Sequence, residues 1–297
     1  MKYRNVILKI EGAVATITLN RPEKLNAIND EMFRELSAAL DEVRQDGDSL
    51  VVVIKGAGRA FSAGQDLSGV GTDEMMPPNP RSKAYLYNMF ATEMQNQWRW
   101  QTIFEFPKIT VAQVHGYCLG AGLDLAMACR AIIATEDAVL GDPSVRMGIA
   151  SPNPLWTYRI GLKKSKELLL TGKYIDGKEA ERIGLVMKAV PADKLEEEMS
   201  SVTEGFTKSA GIGGFDQLAD FWSFSMAALD LGGLAAARRL AGNAYVLSAI
   251  QRPERSITDR GEFNFYDVRD EKGLKAALEE RDAPFKEYFP PHQPKKR

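Results

Sequence analysis

The sequence predicts an α/β fold with a helical C-terminal region, and three patterns support that fold class. The run 50–54 is continuously apolar, as is typical of a strand covered on both faces. The β-branched run 109–114 leads through glycines into a helix-forming run, so strand and helix alternate. After about residue 205 no stretch has the pattern of a strand. We therefore expect an α/β domain over residues 1–205 and a helical region over 206–297.

Composition argues against several classes of protein. Of the 297 residues, 44% are hydrophobic and 26% are charged, an ordinary mixture for globular proteins. The 38 basic and 40 acidic residues nearly cancel, so we expect neither nucleic acid nor a membrane surface as a partner. No apolar run approaches the ~20 residues of a membrane span, and the N-terminus lacks the apolar core of a signal peptide. We expect a cytoplasmic protein.

The few cysteines and histidines argue against metal and histidine chemistry. Cys118 and Cys129 lie outside any CxxC spacing, and we expect reduced thiols. His115 follows a predicted strand, and His292 lies in the C-terminal tail. Two isolated histidines predict neither a histidine-based catalytic triad nor a metal site.

The first elements follow from alternation and helical spacing. Residues 6–10 and 14–19 are expected to be strands joined by a turn at 11–13. A helix is expected to begin at Asn29 or Asp30, because apolar residues then recur at intervals of three and four. Those apolar residues are Met32, Phe33, Leu36, Ala39, Leu40 and Val43.

The middle of the chain contains two glycine-containing loops. The apolar strand run enters the first loop, 56–67, and the glycine- and proline-containing residues 68–83 are expected to be irregular. A helix is expected from about 83 to 104. The second loop follows the strand 109–114, and residues 115–128 predict a tight turn followed directly by a helix.

The rest of the chain is predicted to contain shorter elements. In chain order we expect strands at 131–135 and 138–140, a loop at 141–148, helices at 163–171, 176–184 and from 191, and helical runs at 234–247 and 272–281. The spacing of Asp176 and Glu179 resembles a capping box, and Gly184 follows the end of that helix.

Each glycine-containing loop directs backbone N–H groups toward a helix N-terminus, where the helix dipole favours negative charge. Two such donors that converge on one carbonyl oxygen form an oxyanion hole, and one donor can contribute ~3 kcal/mol of transition-state stabilisation. Asp124 lies two residues after Gly122, so its carboxylate would stand at the mouth of that hole as a general acid or base. Close packing of strand on helix is the alternative for the glycines, and an interaction with the helix dipole is the alternative for Asp124.

Several motifs in a fixed order make the chain resemble the crotonase (enoyl-CoA hydratase/isomerase) superfamily over residues 5–195. The motifs are Arg21-Pro-x-Lys24-x-Asn26-Ala27, Phe61-Ser62-Ala63-Gly64-x-Asp66-Leu67 and His115-Gly116-Tyr117-x-x-Gly120-Ala121-Gly122-x-x-Leu125-Ala126, with Leu170-Thr171-Gly172 and Ala180-x-x-Ile183-Gly184-Leu185-Val186 further on. Their order and separations both fit that superfamily, whereas no single motif is decisive.

The resemblance implies a body built as a spiral of ββα units and a helical C-terminal trimerisation region. It implies an acyl-CoA thioester as the substrate, a homotrimer or a dimer of trimers, and no cofactor apart from the coenzyme A of the substrate. It also implies that the backbone N–H groups of Gln65 and Ala121 form the oxyanion hole. Family members usually have glycine at the position of Ala121, and alanine retains the N–H.

The resemblance further implies contacts with coenzyme A from two loops and from the C-terminus of a neighbouring subunit. The matching residues are Arg21, Lys24, Leu25, Ala27, Ala63, Asp66, Leu67, Phe285 and Lys286. An exposed polar loop is the alternative for Arg21 and Lys24, and ordinary packing is the alternative for Phe285. Tyr85, Tyr87, Met89, Trp98, Trp100, Trp156 and Tyr158 are candidates for an acyl pocket or, alternatively, for the core.

The chain departs from the hydratase pattern at one of two acids. Hydratases of this family hold a water between two glutamates, and here Asp124 matches the first and Ser144 the second. Serine can hold a water but cannot act as a carboxylate base near neutral pH. Asp142 could substitute if its loop is extended, because residues i and i+2 then share a face, and a turn-forming Asp is the alternative. Arg146 could pair with Asp124 or Asp142, or lie at the surface.

These residues predict an enoyl-CoA hydratase or isomerase that acts through an enolate. Gln65 and Ala121 would stabilise the enolate, Asp124 would move a proton or orient water, and Ser144 would assist. Thioester hydrolysis or C–C cleavage on the same scaffold is the nearest alternative. A catalytically silent acyl-CoA-binding oligomer is the alternative from another class, because one acid is missing.

Overall fold

The structure is a computed structural model that describes residues 3–68, 100–148, 153–210, 229, 232–234, 236–237, 240 and 263–290. Within these residues no helix is long and apolar enough to cross a membrane. The same residues contain no group of three or more His, Cys, Asp or Glu side chains that could hold a metal ion. Cys118 and Cys129 are buried free thiols.

The larger sheet has six strands, which supply the frame of the molecule. They are β1 (Val6–Glu11), β2 (Val14–Leu19), β3 (Val51–Gly56), β5 (Ile109–Val114), β7 (Ala131–Thr135) and β10 (Lys188–Val190). Neighbours follow in that order across the sheet. β1 and β2 form an antiparallel hairpin, whereas the pairs from β2 to β10 are parallel. β3 is buried over residues 51–54, as the apolar run 50–54 predicts, and β5 is buried along its whole length.

The smaller sheet has four short strands in the order β4 (Ala60–Ser62), β6 (Tyr117–Leu119), β8 (Val139–Gly141) and β9 (Ile175–Asp176). β4, β6 and β8 are parallel, and β9 is antiparallel to β8. Each of β3, β5 and β7 is followed by one short strand of this second sheet, so the chain turns as a spiral. The expected ββα-spiral body is therefore confirmed.

Helices pack on both sheets. They are α1 (Asp30–Gln45), α2 (Ala121–Ala128), α3 (Leu155–Thr171), α4 (Gly177–Arg182), α5 (195–210), α6 (Phe265–Lys272) and α7 (Leu274–Asp282), with 3₁₀ turns at Pro22–Lys24, Ser144–Met147, Ala192–Lys194 and Ala283–Tyr288. Asn29 caps α1 by accepting the Met32 N–H at 2.9 Å. Asp176 likewise accepts the Glu179 N–H at 2.8 Å, so the predicted helix start there is confirmed.

The sequence predicted one strand of the smaller sheet, β8, which was expected at 138–140, and missed β4, β6 and β9. The first glycine-containing loop contains β4, and β6 lies between β5 and α2, so the direct strand–turn–helix path predicted for 115–128 is wrong. A strand of three residues is too short to show a period of two. Its formation depends on hydrogen bonds to neighbouring strands that are distant in sequence.

Three predicted helices differ from the structure or lie partly outside it. α3 begins at Leu155 rather than 163, and a kink at Gly161, where φ is +74°, separates its first turns from the rest. The run 272–281 is broken at Gly273 between α6 and α7. Of the helix expected over 83–104, only residues 100–104 are described, and they are helical.

Two further expectations fall on residues outside the described ones. These are the irregular segment 68–83, of which 69–83 are not described, and the helical run 234–247, most of which is not described. The described residues after β10 contain no strand, in agreement with the predicted helical region. The division at residue 205 and the trimerisation role of the helical region stay predictions.

The main hydrophobic core lies on the face of the larger sheet that carries α1, α2 and α3. α5 covers the opposite face, where Leu195 and Met199 pack against β3, β5 and β7. α2 is almost entirely buried. It contacts β4 and β6 of the smaller sheet, and Gly122 in its first turn lies against Ser62 of β4.

Candidate active site

The two glycine-containing loops touch at the N-terminus of α2. A Cβ atom added to Gly64 would lie 2.8 Å from the Leu119 carbonyl oxygen and 3.6 Å from the Ala121 backbone nitrogen. One added to Gly122 would lie 2.7 Å from the Ser62 Cβ. The 2.8 Å and 2.7 Å separations are too short for a side chain, and Gly64 also has a φ of +101°. The glycines are therefore required for the close approach of the loops.

The backbone N–H groups of Gln65 and Ala121 point away from the hydrogen bonds that hold their loops. Ile28 donates to the Gly64 carbonyl at 2.7 Å and accepts from the Asp66 N–H at 2.9 Å. Gln65, bridged to Ile28 in parallel, therefore directs its own N–H to the other side. Ala121 is the first residue of α2, so its N–H has no acceptor within the helix. Among the hydrogen bonds of the described residues, neither N–H is a donor.

Asp124 lies in the first turn of α2 and is half-buried. Its Oδ1 accepts a hydrogen bond from Asn153 Nδ2 at 2.7 Å. Asn153 Oδ1 in turn accepts the Leu155 N–H at 2.9 Å, which forms an Asx turn at the start of α3. The candidate catalytic carboxylate is thus held by a side chain from the segment just before α3.

Ser144 begins a 3₁₀ turn, and its side chain is bonded to Asp142. The Asp142 Oδ1 accepts both the Ser144 N–H, at 2.9 Å, and the Ser144 hydroxyl. Asp142 is buried, and Pro143 between them has a φ of −83° and a ψ of 6°. The loop is therefore not extended here, and Asp142 forms the turn. The turn-forming alternative for Asp142 is thus confirmed, and the condition for its substitution for the second acid, an extended loop, is not met.

An ion pair joins the loop that contains Arg21 to the first glycine-containing loop. Arg21 Nη2 lies 2.9 Å from Asp66 Oδ2, and Arg21 Nη1 donates to the Ala27 carbonyl at 2.6 Å. Lys24 Nζ is 3.6 Å from the same Asp66 oxygen, and its side chain remains 48% exposed. The exposed-loop alternative is therefore wrong for Arg21, whereas Lys24 presents a cation to solvent.

The carboxylate of Asp66 is strongly stabilised in its ionised form. Burial opposes ionisation, but hydrogen bonds from Ser68 and from Arg21, together with the charge of Lys24, lower its pKa to about 2. Ala63 donates to the Leu25 carbonyl at 2.9 Å, so Leu25, Ala27, Ala63 and Asp66 belong to one bonded pair of loops. The adjoining Leu67 offers its carbonyl to Arg269 of α6 at 3.5 Å.

Comparison with known proteins identifies the family. Residues 9–222 match the family model for enoyl-CoA hydratase/isomerase. The chain belongs to the enoyl-CoA hydratase/isomerase family. A probable enoyl-CoA hydratase of Mycobacterium bovis is 35% identical over 198 residues, which cover 66% of this chain and 72% of that protein. A short-chain-enoyl-CoA hydratase of Clostridium acetobutylicum is 36% identical over 200 residues, 66% of this chain and 72% of the relative.

Solved structures support the same assignment. An enoyl-CoA hydratase from Mycobacterium smegmatis has a TM-score of 0.83 at 27% identity and covers 96% of both chains. An enoyl-CoA hydratase/isomerase from Xanthobacter autotrophicus Py2 has a TM-score of 0.81 at 30% identity, covering 96% of this chain and 99% of that one. The fold is therefore the crotonase fold, and the protein is an enzyme of the enoyl-CoA hydratase/isomerase type.

In this member of the enoyl-CoA hydratase/isomerase family, the described contacts of Arg146 are with neither Asp124 nor Asp142, and its side chain does not lie at the surface. Its fully buried side chain bonds Asp282 at 2.9 Å and the Gly172 carbonyl at 2.6 Å. The guanidinium also lies over the rings of Tyr174, Phe285 and Phe289, with centroids 4.5, 4.8 and 5.4 Å away. The sequence could not reveal these partners, because most of them lie more than 100 residues further along the chain.

Phe285 and Lys286 lie in the 3₁₀ turn that follows α7. Phe285 packs on Arg146 of its own chain, in agreement with the packing alternative, whereas Lys286 is exposed. Of the predicted acyl-pocket residues, Trp156 is in the core and Trp100 contacts Phe33 edge-on at 6.3 Å. Tyr158 donates to the Gly232 carbonyl at 2.8 Å. Tyr85, Tyr87, Met89 and Trp98 lie outside the described residues.

Two asparagines of the site were not predicted as site residues, although Asn26 belongs to the first motif. Asn26 is buried, accepts the Arg21 N–H at 2.9 Å and donates to the carbonyls of Ala57 and Ala60, both at 2.8 Å. Asn153 holds Asp124. An Asn-Pro dipeptide before a helix is a turn signal, and it would have located the start of α3. Nothing in the sequence pairs Asn153 with Asp124.

Proposed function

We propose that the enzyme adds water to an enoyl-CoA thioester, or shifts its double bond, at the N-terminus of α2. The observation that carries this proposal is the approach of Gly64 to Ala121, since a Cβ atom on Gly64 would lie 3.6 Å from the Ala121 backbone nitrogen. Gln65 directly follows Gly64, so its N–H would lie near that of Ala121. Two donors that converge in this way would suit a single thioester oxygen. They would stabilise the negative charge that collects on that oxygen when the thioester becomes an enolate.

In the proposed hydration, Asp124 is the group that moves the proton. Its carboxylate accepts a proton from water as the water oxygen bonds to C3 of the enoyl group. The electron pair of the double bond then moves to the thioester oxygen and forms the enolate. Asp124 returns the proton to C2, which yields the 3-hydroxyacyl-CoA and regenerates the carboxylate. Isomerisation uses the same carboxylate to move a proton between C2 and C4.

Ser144 would hold the attacking water. Its hydroxyl hydrogen is directed to Asp142, which is already an acceptor of the Ser144 N–H. The Ser144 oxygen therefore remains available as an acceptor. A water that donates one hydrogen to Ser144 and the other to Asp124 would direct its lone pair toward the substrate. This arrangement would replace the second glutamate of two-acid hydratases in holding the water, but not as a base.

The coenzyme A moiety would lie along the paired loops that Arg21 and Asp66 join. Lys24 is the exposed cation there and would face the phosphates, while Leu25, Ala27, Ala63 and Leu67 would line the adenosine and pantetheine path. Arg21 would act indirectly, since its charge is already paired with Asp66. Phe285 and Lys286 would complete the site from a neighbouring subunit of a trimer or a dimer of trimers.

The test is turnover of a panel of acyl-CoA thioesters, followed by mass spectrometry. We expect gain of one water or a shifted double bond with at least one enoyl-CoA. Asp124→Asn should abolish that turnover and leave coenzyme A binding nearly unchanged, whereas Asp193→Asn, an exposed control, should do neither. Release of free thiol would instead establish hydrolysis. Undiminished turnover in Asp124→Asn would show that Asp124 does not transfer the proton.

A further inference from the structure

We infer that Asn153 is a positioning residue that holds Asp124 in its proton-accepting form. The inference rests on the proposed role of Asp124, and it names a residue that neither the motifs nor the comparisons assign. The juxtaposition that carries it is the 2.7 Å contact between Asn153 Nδ2 and Asp124 Oδ1, across the packing of α2 on α3.

The orientation of the Asn153 amide is determined by its second bond. Asn153 Oδ1 accepts the Leu155 N–H at 2.9 Å, and a backbone N–H can only donate. A flipped amide would place two donors face to face at that bond. The NH₂ group must therefore face Asp124, where it can only donate. Asp124 Oδ1 is consequently an acceptor, and a donor at this oxygen favours the ionised carboxylate.

The titratable groups on the described elements that pack against α2 are few. β4, β5 and β7, which pack against α2, carry no titratable side chains. Cys118 on β6 is buried, and burial together with the charge of Asp124 raises the pKa of its thiol, so it remains neutral. Arg159 of α3 donates to the carbonyls of Met127 and Cys129, at the opposite end of α2. Burial also raises the pKa of Tyr117 on β6, so that phenol remains neutral. Asn153 Nδ2 is therefore a neutral donor to Asp124 whose state does not change with pH.

The decisive variant is Asn153→Asp. An aspartate keeps the acceptor for the Leu155 N–H, so the start of α3 is preserved. It replaces the donor to Asp124 by a second carboxylate, and two adjacent carboxylates cannot both ionise easily. We expect kcat to fall by about 10- to 100-fold with little change in KM. We also expect the acid-side loss of activity to move to higher pH.

Two further variants separate positioning from a structural role. Asn153→Ala removes both bonds and should lower kcat and stability together. Asn29→Asp makes the same exchange at the N-cap of α1, where the side chain accepts the Met32 N–H, and should leave the pH profile unchanged. If Asn153→Asp retains the wild-type kcat and pH profile, Asn153 serves only the start of α3 and the inference is wrong.

A stability measurement tests the inference without relying on turnover. Asn153→Asp should make the thermal unfolding temperature fall as pH rises from about 4 to 7, relative to wild type, because the carboxylate pair ionises. Adding Asp124→Asn should remove that extra pH dependence. Equal pH dependence in the single and double variants would overturn the inference. Failure of the proposed function would appear separately, as retained turnover in Asp124→Asn.

Discussion

Arg21 and Asp66 form an ion pair of 2.9 Å that joins two loops 45 residues apart in the sequence. Both side chains are about nine-tenths buried. Arg21 is therefore engaged in holding the loops together rather than presented to solvent, and Lys24 beside it is the cation available to a ligand. The pair also holds the residues that flank Gln65, one of the two proposed oxyanion donors.

The Asp66 carboxylate should make the stability of the protein depend on acid pH. Its pKa falls from 3.8 to about 2 on folding, so its contribution is fully present above about pH 4 and is lost as pH falls toward 2. We expect Asp66→Asn to lower the free energy of unfolding by roughly 1–2 kcal/mol at pH 7. Urea titrations at pH 7 and near pH 2 would measure this, and the difference between variants should vanish at the lower pH.

The control for that prediction is Asp41→Asn. Asp41 is exposed and pairs with Arg44 one turn along α1, so its loss should change stability by less than about 0.5 kcal/mol. Equal stability of Asp66→Asn and wild type at pH 7 would show that the Arg21–Asp66 pair makes no net contribution to the free energy of unfolding.

Gly64 should tolerate no side chain. In Gly64→Ala the new Cβ would lie 2.8 Å from the Leu119 carbonyl oxygen, a backbone atom that cannot yield without moving β6 and the start of α2. We expect activity to fall by about 100-fold or more, because the spacing of the two N–H donors changes. Steady-state kinetics on the responsive enoyl-CoA would measure the loss.

Gly184→Ala is the matched control for Gly64→Ala. Gly184 has a similar positive φ, +78°, but nothing lies within 4 Å of its added Cβ. Gly184→Ala should therefore lose roughly 1–2 kcal/mol of stability through backbone strain alone, with no steric clash of the new Cβ. Full activity in Gly64→Ala would be incompatible with the proposed pair of donors.

Arg146 should anchor the C-terminal segment to the loop that contains Ser144. Arg146→Met removes the bond to Asp282 and the stacking on three aromatic rings. Arg281 still pairs with Asp282 at 2.8 Å, so the cost should be about 2–3 kcal/mol, less than for an orphaned buried charge. Thermal unfolding would measure it, and limited proteolysis should cut first near residues 283–290.

Arg34→Met provides the comparison for Arg146→Met. Arg34 lies on the surface of α1, paired with Glu31 one turn away, and its replacement should change stability by under about 0.5 kcal/mol. If both variants were equally stable, the Arg146 contacts would not hold the C-terminal segment in solution.

Much of the larger sheet could be predicted because its determinants are local. β5 and the stripe of α1 carry long apolar patterns, and Asn29 and Asp176 cap their helices as expected. β4 and β6 could not be predicted, because three residues carry no readable period and their pairing is non-local. Arg146 shows the same limit for side chains, since its partner Asp282 is 136 residues away.

The sequence by itself determined the family, the α/β class and the residues proposed for catalysis, because motifs such as Phe61–Leu67 keep their order and spacing along the chain. Only the tertiary structure decided how those residues are used. In the folded chain Arg21 pairs with Asp66, Ser144 donates to Asp142, and Asn153 donates to Asp124. The physical reason is that a charged or polar side chain near the interior takes the partner that packing brings within about 3 Å, and spacing along a chain does not encode that distance.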